Sequence, residues 1–146
     1  QPSRLMPTYA RQPIAFVRGR GSWLYTANGT AYLDALTGIA VCGLGHAHPT
    51  VAAAIADQAA TLVHTSNLFE VPWQEAAGHL LCDVGGMQQC FFANSGAEAN
   101  EAALKLARKY AADRSPNKHE IVAFTPSFHG RTLFTVSVGG QAKYTE

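Results

Sequence analysis

Residues 88–112 read QQCFFANSGAEANEAALKLARKYAA, and this stretch decides the fold. Its apolar run Cys90–Phe92 is of the kind that forms a buried strand, which predicts a strand over residues 89–93. A turn follows at Asn94-Ser95-Gly96. Apolar residues then recur at helical spacing and predict one long amphipathic helix. They are Ala99, Ala102, Ala103, Leu106, Ala107 and Tyr110.

The N-terminus of this predicted helix is a candidate anion site. The first free amides of a helix carry the positive end of its dipole and bind phosphate or carboxylate readily. Gly96 would let an anion approach the backbone closely, and Ser95 offers a hydroxyl group. The alternative is that Ser95 and Glu98, three residues apart, form a capping box that needs no ligand. A hydroxyl can donate to an anion while it accepts an amide hydrogen, so both interpretations stay open.

The composition is that of a well-buried globular chain. Hydrophobic residues make up 47% and charged residues 14% of the 146 residues, which argues against intrinsic disorder and is enough for one domain. The net charge of +1 gives no electrostatic reason to bind nucleic acid or an anionic membrane. No apolar run reaches membrane-spanning length, and no signal peptide opens the sequence. We therefore expect neither nucleic acid nor a membrane as a partner.

The cysteines indicate the compartment. Cys42, Cys82 and Cys90 are odd in number and far apart in sequence, which suggests neither a disulfide framework nor a zinc site. A reducing compartment, the cytoplasm, is the default expectation. The chain begins at Gln1 without a methionine and stops at Glu146 without a helix or strand stop signal. We expect it to be a segment of a longer protein.

Short strands dominate the N-terminal part of the chain. Residues 1–13 are polar and interrupted by prolines, which predicts an arm outside the core. Three clusters of β-forming residues follow, and Asn-Gly between the last two is a strong hairpin signal. We predict a small antiparallel meander that packs on another element. Its strands are Phe16-Val17, Trp23–Tyr25 and Ala31–Leu33, with the hairpin at Asn28-Gly29.

Two amphipathic helices are predicted next, over Pro49–Leu62 and from Pro72 to a stop at Gly85-Gly86. His46 and His48 precede the first of them in a glycine-rich loop. Two histidines with no carboxylate or thiolate at ligand spacing are a weak metal signal. We expect a tight turn before a helix whose first residue is proline, and no metal site.

A second buried strand is predicted over residues 120–124. Two strands joined by the long helix make a right-handed βαβ unit in a mostly parallel sheet. Ligands bind beyond the carboxyl ends of such strands, so the Ser95-Gly96 turn and the loop of residues 125–132 should face one crevice. In that loop, Phe128 could stack on a flat ligand and Arg131 could bind a carboxylate. Simple packing and a structural ion pair are the respective alternatives. Residues 133–138 alternate weakly and predict another strand.

Several segments resemble one family. Residues 91–108, FFANSGAEANEAALKLAR, are similar to the cofactor-phosphate segment of class III pyridoxal-phosphate aminotransferases. Residues 127–144, SFHGRTLFTVSVGGQAKY, are similar to the acetylornithine and succinylornithine branch, and so are YLDALTGIAV at 32–41 and LGHAHP at 44–49. The resemblance runs from about Ile14 to the end of the chain.

The resemblance implies an α/β fold, the fold type I of these enzymes, of which this chain holds an incomplete N-terminal portion. Residues 1–48 would form the arm and the small meander, and residues 49–146 the first part of the large cofactor-binding domain. The family pattern also implies a homodimer with each active site at the subunit interface. The loop of residues 38–49 and the Ser66-Asn67 connection would lie near that interface.

The resemblance also implies roles for individual residues. The Ser-Gly-x turn of such enzymes holds the phosphate of pyridoxal phosphate, and the Phe-His-Gly-Arg motif supplies the ring-stacking aromatic and neighbouring cofactor contacts. The arginine that closes the motif, here Arg131, binds the α-carboxylate of the substrate. The implied cofactor-binding residues are Ser95, Gly96, Ala97, Phe128, His129 and Gly130.

The chain departs from the family at the catalytic lysine. These enzymes need a Schiff-base lysine and an aspartate against the pyridine nitrogen, and in the family both come later than the last residue here. None of Lys105, Lys109, Lys118 and Lys143 fits that role, so we expect no catalytic residue within residues 1–146.

Three functions remain open. The first is a portion of an aminotransferase that moves an amino group from N-acetylornithine, or a similar ω-amino substrate, to 2-oxoglutarate. The second is a non-catalytic fragment that binds an anion or a partner chain. The third is a related class III enzyme that acts on ornithine or 4-aminobutyrate.

Overall fold

The computed structural model describes residues 3–145, without the side chains of residues 143 and 145. The chain divides into two compact units between Phe69 and Glu70. The domain division after residue 48 stays a prediction. The elements are, in order, β1 (Phe16–Arg20), β2 (Trp23–Thr26), β3 (Ala31–Leu33), α1 (Thr37–Ala40), α2 (Pro49–Thr61), α3 (Pro72–Gly85), α4 (Gly96–Ala112), α5 (Leu133–Gly139) and α6 (Ala142–Thr145).

The antiparallel meander is confirmed. Strands β1, β2 and β3 form one three-stranded sheet in that order. The hairpin between β2 and β3 turns at Asn28-Gly29, where Gly29 has a φ of 87° that side chains rarely adopt. The Asn28 side-chain oxygen accepts the amide of Thr30 at 3.2 Å and closes the turn. The Asn-Gly signal in the sequence was therefore sufficient to place this hairpin.

Asp34 ties the end of the meander to the glycine-rich loop. Its Oδ1 accepts the amides of Leu36 at 3.0 Å and Thr37 at 2.8 Å. Its Oδ2 lies 2.6 Å from His46 Nε2. His46 also pairs with Gly21 through two backbone hydrogen bonds of 2.8 and 2.9 Å. His46 is thus held at both its backbone and its side chain, and no local pattern in the sequence indicates Asp34 as its partner.

These contacts lower the pKa of Asp34, first through the hydrogen bond from His46 and then through the amide of Thr37. A carboxyl group whose folded pKa is depressed stabilises the fold at pH values above its unfolded pKa of about 4. That contribution disappears as the pH falls through the folded pKa.

We therefore expect Asp34→Asn to lower the free energy of unfolding by the part that depends on the ionised carboxylate of Asp34. The variant should unfold more easily than wild type near neutral pH, and the difference should shrink as the pH falls below about 4. Urea unfolding of the full-length protein at a series of pH values measures this. Asp113→Asn is the matched control, because Asp113 makes an exposed ion pair with Lys109 and such pairs contribute little. Equal pH profiles for the two variants would contradict the role of Asp34.

The helices predicted over 49–62 and from Pro72 are confirmed as α2 and α3. Each has proline in its first turn, where the missing amide costs nothing. Gly86 ends α3 with a left-handed φ of 63°. In contrast, α1 is one turn of left-handed backbone rather than a regular helix. Within the described residues, no helix is both long enough and apolar enough to cross a membrane.

Two predicted strands are absent. Within the described residues, neither 89–93 nor 120–124 forms a strand, so the predicted βαβ unit is not formed there. Side chains expected to be buried are exposed, with Phe91 at 74% and Val122 at 88%. An apolar run becomes a strand only when a neighbour completes its ladder of hydrogen bonds, and these two segments do not pair with each other.

The strand predicted over residues 133–138 is wrong, because this segment is helix α5. Thr132 begins it with a capping box, in which its hydroxyl accepts the amide of Thr135 and the Thr135 hydroxyl accepts the amide of Thr132. Thr135 is fully buried. The apolar alternation is too short to distinguish the two periods, and the cap decides in favour of the helix.

Candidate functional site

Ser95 caps helix α4, as the sequence predicted. Its backbone is extended and its hydroxyl oxygen accepts the amide of Glu98 at 3.2 Å. The Glu98 carboxylate accepts the amide of Asn94 at 2.6 Å, one residue before the usual position in a capping box. The Ser95 hydroxyl accepts in this contact, so its own hydrogen can still be donated to a ligand.

The first residue of α4 faces open space. A Cβ atom added to Gly96 would meet nothing within 4 Å outside its own helix and its chain neighbours. The amides of the first turn of α4 have no carbonyl acceptor within the helix. The turn therefore combines a hydroxyl donor, amides that lack a carbonyl acceptor and room for a group that would come close to the backbone.

The loop of residues 127–131 lies against the first turns of α4. A Cβ atom on Gly130 would lie 2.6 Å from Ala97 Cβ and 2.8 Å from Thr135 Oγ1, so only glycine allows this approach. The side-chain amide of Asn100 donates to the His129 carbonyl at 2.7 Å. These contacts bring together Ala97 and Gly130, as a shared crevice requires, although the two strands from which the crevice was predicted are absent.

The other side of the loop is held by the segment after it. Ser127 donates its amide to the Gly139 carbonyl at 3.2 Å, and the Gln141 side chain donates to the Ser127 carbonyl at 2.6 Å. The His129 ring nitrogen Nε2 lies 3.0 Å from the Ser127 hydroxyl. The imidazole of His129 is thus engaged within its own loop and helps to fix the loop conformation.

Phe128 and Arg131 stand on the exposed side of this loop. Phe128 is 61% exposed, although it is a large apolar residue. The Arg131 guanidinium carbon lies 5.6 Å from the centre of the Phe128 ring and 5.8 Å from that of Tyr144, within the range of cation–π attraction. The arrangement offers a flat apolar surface next to a planar cation.

Three residues that position this site, Asn100, Glu101 and Thr132, are not predicted from the sequence. Asn100 and Glu101 project from α4 toward the loop, and the Thr132 hydroxyl donates to Glu101 Oε1 at 2.5 Å. The partners are 29 and 31 residues apart in sequence, so no local pattern could have revealed them. A threonine three residues before another threonine was the one local signal for the cap at Thr132.

Three of the four lysines have described side chains, and all three are exposed. Lys109 forms an exposed ion pair of 2.7 Å with Asp113 at the end of α4. Lys105 and Lys118 are exposed. The side chain of Lys143 lies outside the described residues, so its expected lack of a catalytic role stays a prediction.

Comparison with known proteins identifies the family. Residues 6–146 match the family described as Aminotransferase class-III. Acetylornithine aminotransferase from Halalkalibacterium halodurans is 54% identical over 141 residues, which are 97% of this chain and 35% of that protein. Acetylornithine aminotransferase from Nitrosomonas europaea is 49% identical, over 97% of this chain and 36% of that protein.

Solved structures agree with the sequence matches. Ornithine aminotransferase from Toxoplasma gondii superposes with a TM-score of 0.91 at 31% identity, over 98% of this chain and 35% of that one. N-acetylornithine aminotransferase from Stenotrophomonas maltophilia gives a TM-score of 0.76 at 38% identity, over 84% of this chain and 34% of that one. These matches confirm the predicted fold class, although the chain spans about a third of the length of the relatives that it matches. By its sequence and its fold, the chain belongs to the class III aminotransferases.

Proposed function

We propose that the full-length protein is a pyridoxal-phosphate-dependent aminotransferase that moves an amino group from N-acetylornithine, or a similar ω-amino substrate, to 2-oxoglutarate. The two relatives named acetylornithine aminotransferase support this substrate. The observation that carries the proposal is the loop of residues 127–131 seated on the N-terminus of α4, with Gly130 against Ala97. This loop carries an exposed aromatic ring and a guanidinium group, and Ala97 belongs to the turn that we assign to an anion.

The residues present fit a cofactor with a phosphate and a flat ring. Open space in front of Gly96 accommodates a phosphate, which the Ser95 hydroxyl and the amides of Gly96 and Ala97 would hold. The exposed face of Phe128 would stack on the ring. Pyridoxal phosphate, when bound, supplies the electron sink for the amino-group transfer.

The other residues of the loop have supporting roles. We assign the α-carboxylate of the substrate to Arg131, because a planar guanidinium matches a carboxylate with two parallel hydrogen bonds. Gly130 lets the loop approach α4. His129 fixes the loop through Ser127, next to the cofactor ring. The Schiff-base lysine and the aspartate against the pyridine nitrogen are assigned to the part of the full-length protein beyond residue 146.

The assembly and location of the full-length protein are also part of the proposal. We propose a homodimer in the cytoplasm that acts in arginine biosynthesis. The family pattern supports the dimer, and the acetylornithine substrate supports the pathway. Analytical ultracentrifugation of the full-length protein tests the dimer, and a single sedimenting monomer would contradict it.

Ornithine is the strongest alternative substrate, because the Toxoplasma gondii ornithine aminotransferase is similar over nearly the whole chain. Assays of the full-length protein with 2-oxoglutarate, in which N-acetylornithine, N-succinylornithine, ornithine and 4-aminobutyrate compete as donors, distinguish the candidates. We expect the largest kcat/KM for N-acetylornithine. A larger kcat/KM for ornithine or 4-aminobutyrate would indicate another class III activity. If none of the four donors yields glutamate, the non-catalytic alternative is favoured.

Gly96→Val in the full-length protein should weaken binding of pyridoxal phosphate. A Cβ atom at this position meets nothing within 4 Å outside its own helix and its chain neighbours, so the fold should tolerate valine, but the side chain would occupy the space assigned to the phosphate. Loss of charged hydrogen bonds to backbone amides costs on the order of 1.5–3 kcal/mol, or roughly ten- to a hundredfold in affinity. Fluorescence titration with pyridoxal phosphate measures the change.

Gly85→Val is the matched control for this substitution. Gly85 is also a helix-terminal glycine, and a Cβ atom there makes only an ordinary contact of 3.7 Å with Met87. It should leave the affinity for pyridoxal phosphate within about twofold of wild type, because surface substitutions away from a site change free energies by about 0.5 kcal/mol at most. If the two variants bind pyridoxal phosphate with equal affinity, the Ser95 turn does not hold the phosphate and only caps the helix.

A further inference from the structure

Two cysteines that are separated in sequence approach each other beside helix α3. The chain reverses after α3 at Gly86, and Met87 donates its amide back to the Cys82 carbonyl at 3.0 Å. The returning segment brings Cys90 onto the helix, where its sulfur lies 3.4 Å from the Cβ position of Gly78. Gly78 and Cys82 are four residues apart and therefore neighbours on one face of α3.

The two thiols have different surroundings. Cys90 is exposed, whereas Cys82 is half-buried. Burial raises the pKa of the Cys82 thiol, and the charge of the neighbouring Cys90 raises it further. The three cysteines are far apart in the sequence, and the fold brings these two together.

We propose that Cys82 and Cys90 form a reversible disulfide when the protein meets a low-molecular-weight disulfide. The Cys90 sulfur lies against the face of α3 that also carries Cys82, because a Cβ atom at position 78 would already be in contact with that sulfur at 3.4 Å. The eight-residue separation closes a short loop, for which the entropic cost of bringing the ends together is small. Neither thiol belongs to the crevice at Ser95.

The reaction has two exchange steps and needs no other oxidant. The exposed Cys90 thiolate attacks one sulfur of the small disulfide, forms a mixed disulfide and expels one small thiolate. The Cys82 thiolate then attacks the Cys90 sulfur, forms the protein disulfide and expels the second small thiolate. Two protein thiols are oxidised, one small disulfide is reduced to two thiols, and the two protons pass to solvent or to the released thiolates.

The test uses oxidised glutathione and the full-length protein. Tryptic digestion would leave both cysteines in one peptide, because no lysine or arginine lies between them, but cyanogen bromide cleaves after Met87 and separates them. We expect the two cyanogen bromide fragments to remain linked after oxidation and to separate on reduction. Fragments that separate without reductant, each with free or glutathione-bound cysteine, would overturn the proposal.

Variants identify which thiol completes the exchange. Cys82→Ser should leave a persistent glutathione adduct on Cys90, because no second thiol resolves it, whereas wild type should keep none. Cys42→Ser is the matched control and should behave like wild type, since Cys42 is another half-buried cysteine and belongs to the other compact unit of the chain. A persistent adduct on wild-type Cys90 would overturn the proposal even if Cys82→Ser fails to fold.

Discussion

Arg131→Lys in the full-length protein is expected to weaken the amino-acid and oxo-acid substrates together, by roughly ten- to a hundredfold. Both substrates carry an α-carboxylate and share one site under the proposed function. A guanidinium makes two parallel hydrogen bonds to that group, and an ammonium cannot copy this geometry. Loss of a hydrogen bond to a charged group costs on the order of 1.5–3 kcal/mol, which gives the expected range.

The measurement separates substrate from cofactor. Titration of the variant with each substrate and with pyridoxal phosphate should show weaker substrate binding and almost unchanged cofactor binding. Arg114→Lys is the matched control, because the Arg114 guanidinium also lies over an aromatic ring, 3.4 Å from the centre of Tyr110. If Arg131→Lys loses cofactor affinity and keeps substrate affinity, the assignment of Arg131 to the carboxylate is wrong.

Gly130→Ala should have an effect of comparable size but a different pattern. The added methyl group would lie 2.6 Å from Ala97 Cβ, and Gly130 has a φ of 129° that alanine rarely adopts. Overpacking and backbone strain each cost about 1–3 kcal/mol. The loop should therefore move away from the N-terminus of α4, and the hydrogen bond from Asn100 to His129 should break. Cofactor and substrate binding should both weaken by roughly tenfold or more.

Gly29→Ala is the control for this substitution. Gly29 also has a positive φ, of 87°, but a Cβ atom there meets nothing within 4 Å. Gly29→Ala therefore introduces backbone strain, but its new methyl group does not collide with other atoms. Thermal unfolding and cofactor titration of the two full-length variants should show a loss of both stability and binding for Gly130→Ala and a loss of stability alone for Gly29→Ala. Normal cofactor binding by Gly130→Ala would mean that cofactor binding does not require the contact between the loop and α4.

Local signals in the sequence predicted the local parts of the structure. The hairpin was predicted from Asn28-Gly29, and the starts of α2 and α3 were predicted from Pro49 and Pro72. The cap of α4 was predicted from Ser95. In each case a few neighbouring residues determine the local conformation, because the interactions that stabilise a turn or a cap lie within four or five residues.

Non-local structure was not predictable in the same way. The hydrogen bond between Asn100 and His129 spans 29 residues, and the one between Thr132 and Glu101 spans 31. The apolar runs at 89–93 and 120–124 predict strands, but an apolar run does not specify the neighbouring strand that would complete its ladder of hydrogen bonds. The cofactor and substrate roles at the crevice came from resemblance to a family and stay predictions.

The exposure of the apolar runs has a calorimetric consequence. Large apolar side chains in both runs are open to solvent, among them Phe91 at 74%, Val122 at 88% and Phe124 at 85% exposure. The heat-capacity increase on unfolding comes mainly from apolar surface that water reaches only after the transition. Because much of that surface is already wet, a scan of residues 1–146 by themselves would show a small heat-capacity step and a broad, shallow melting peak.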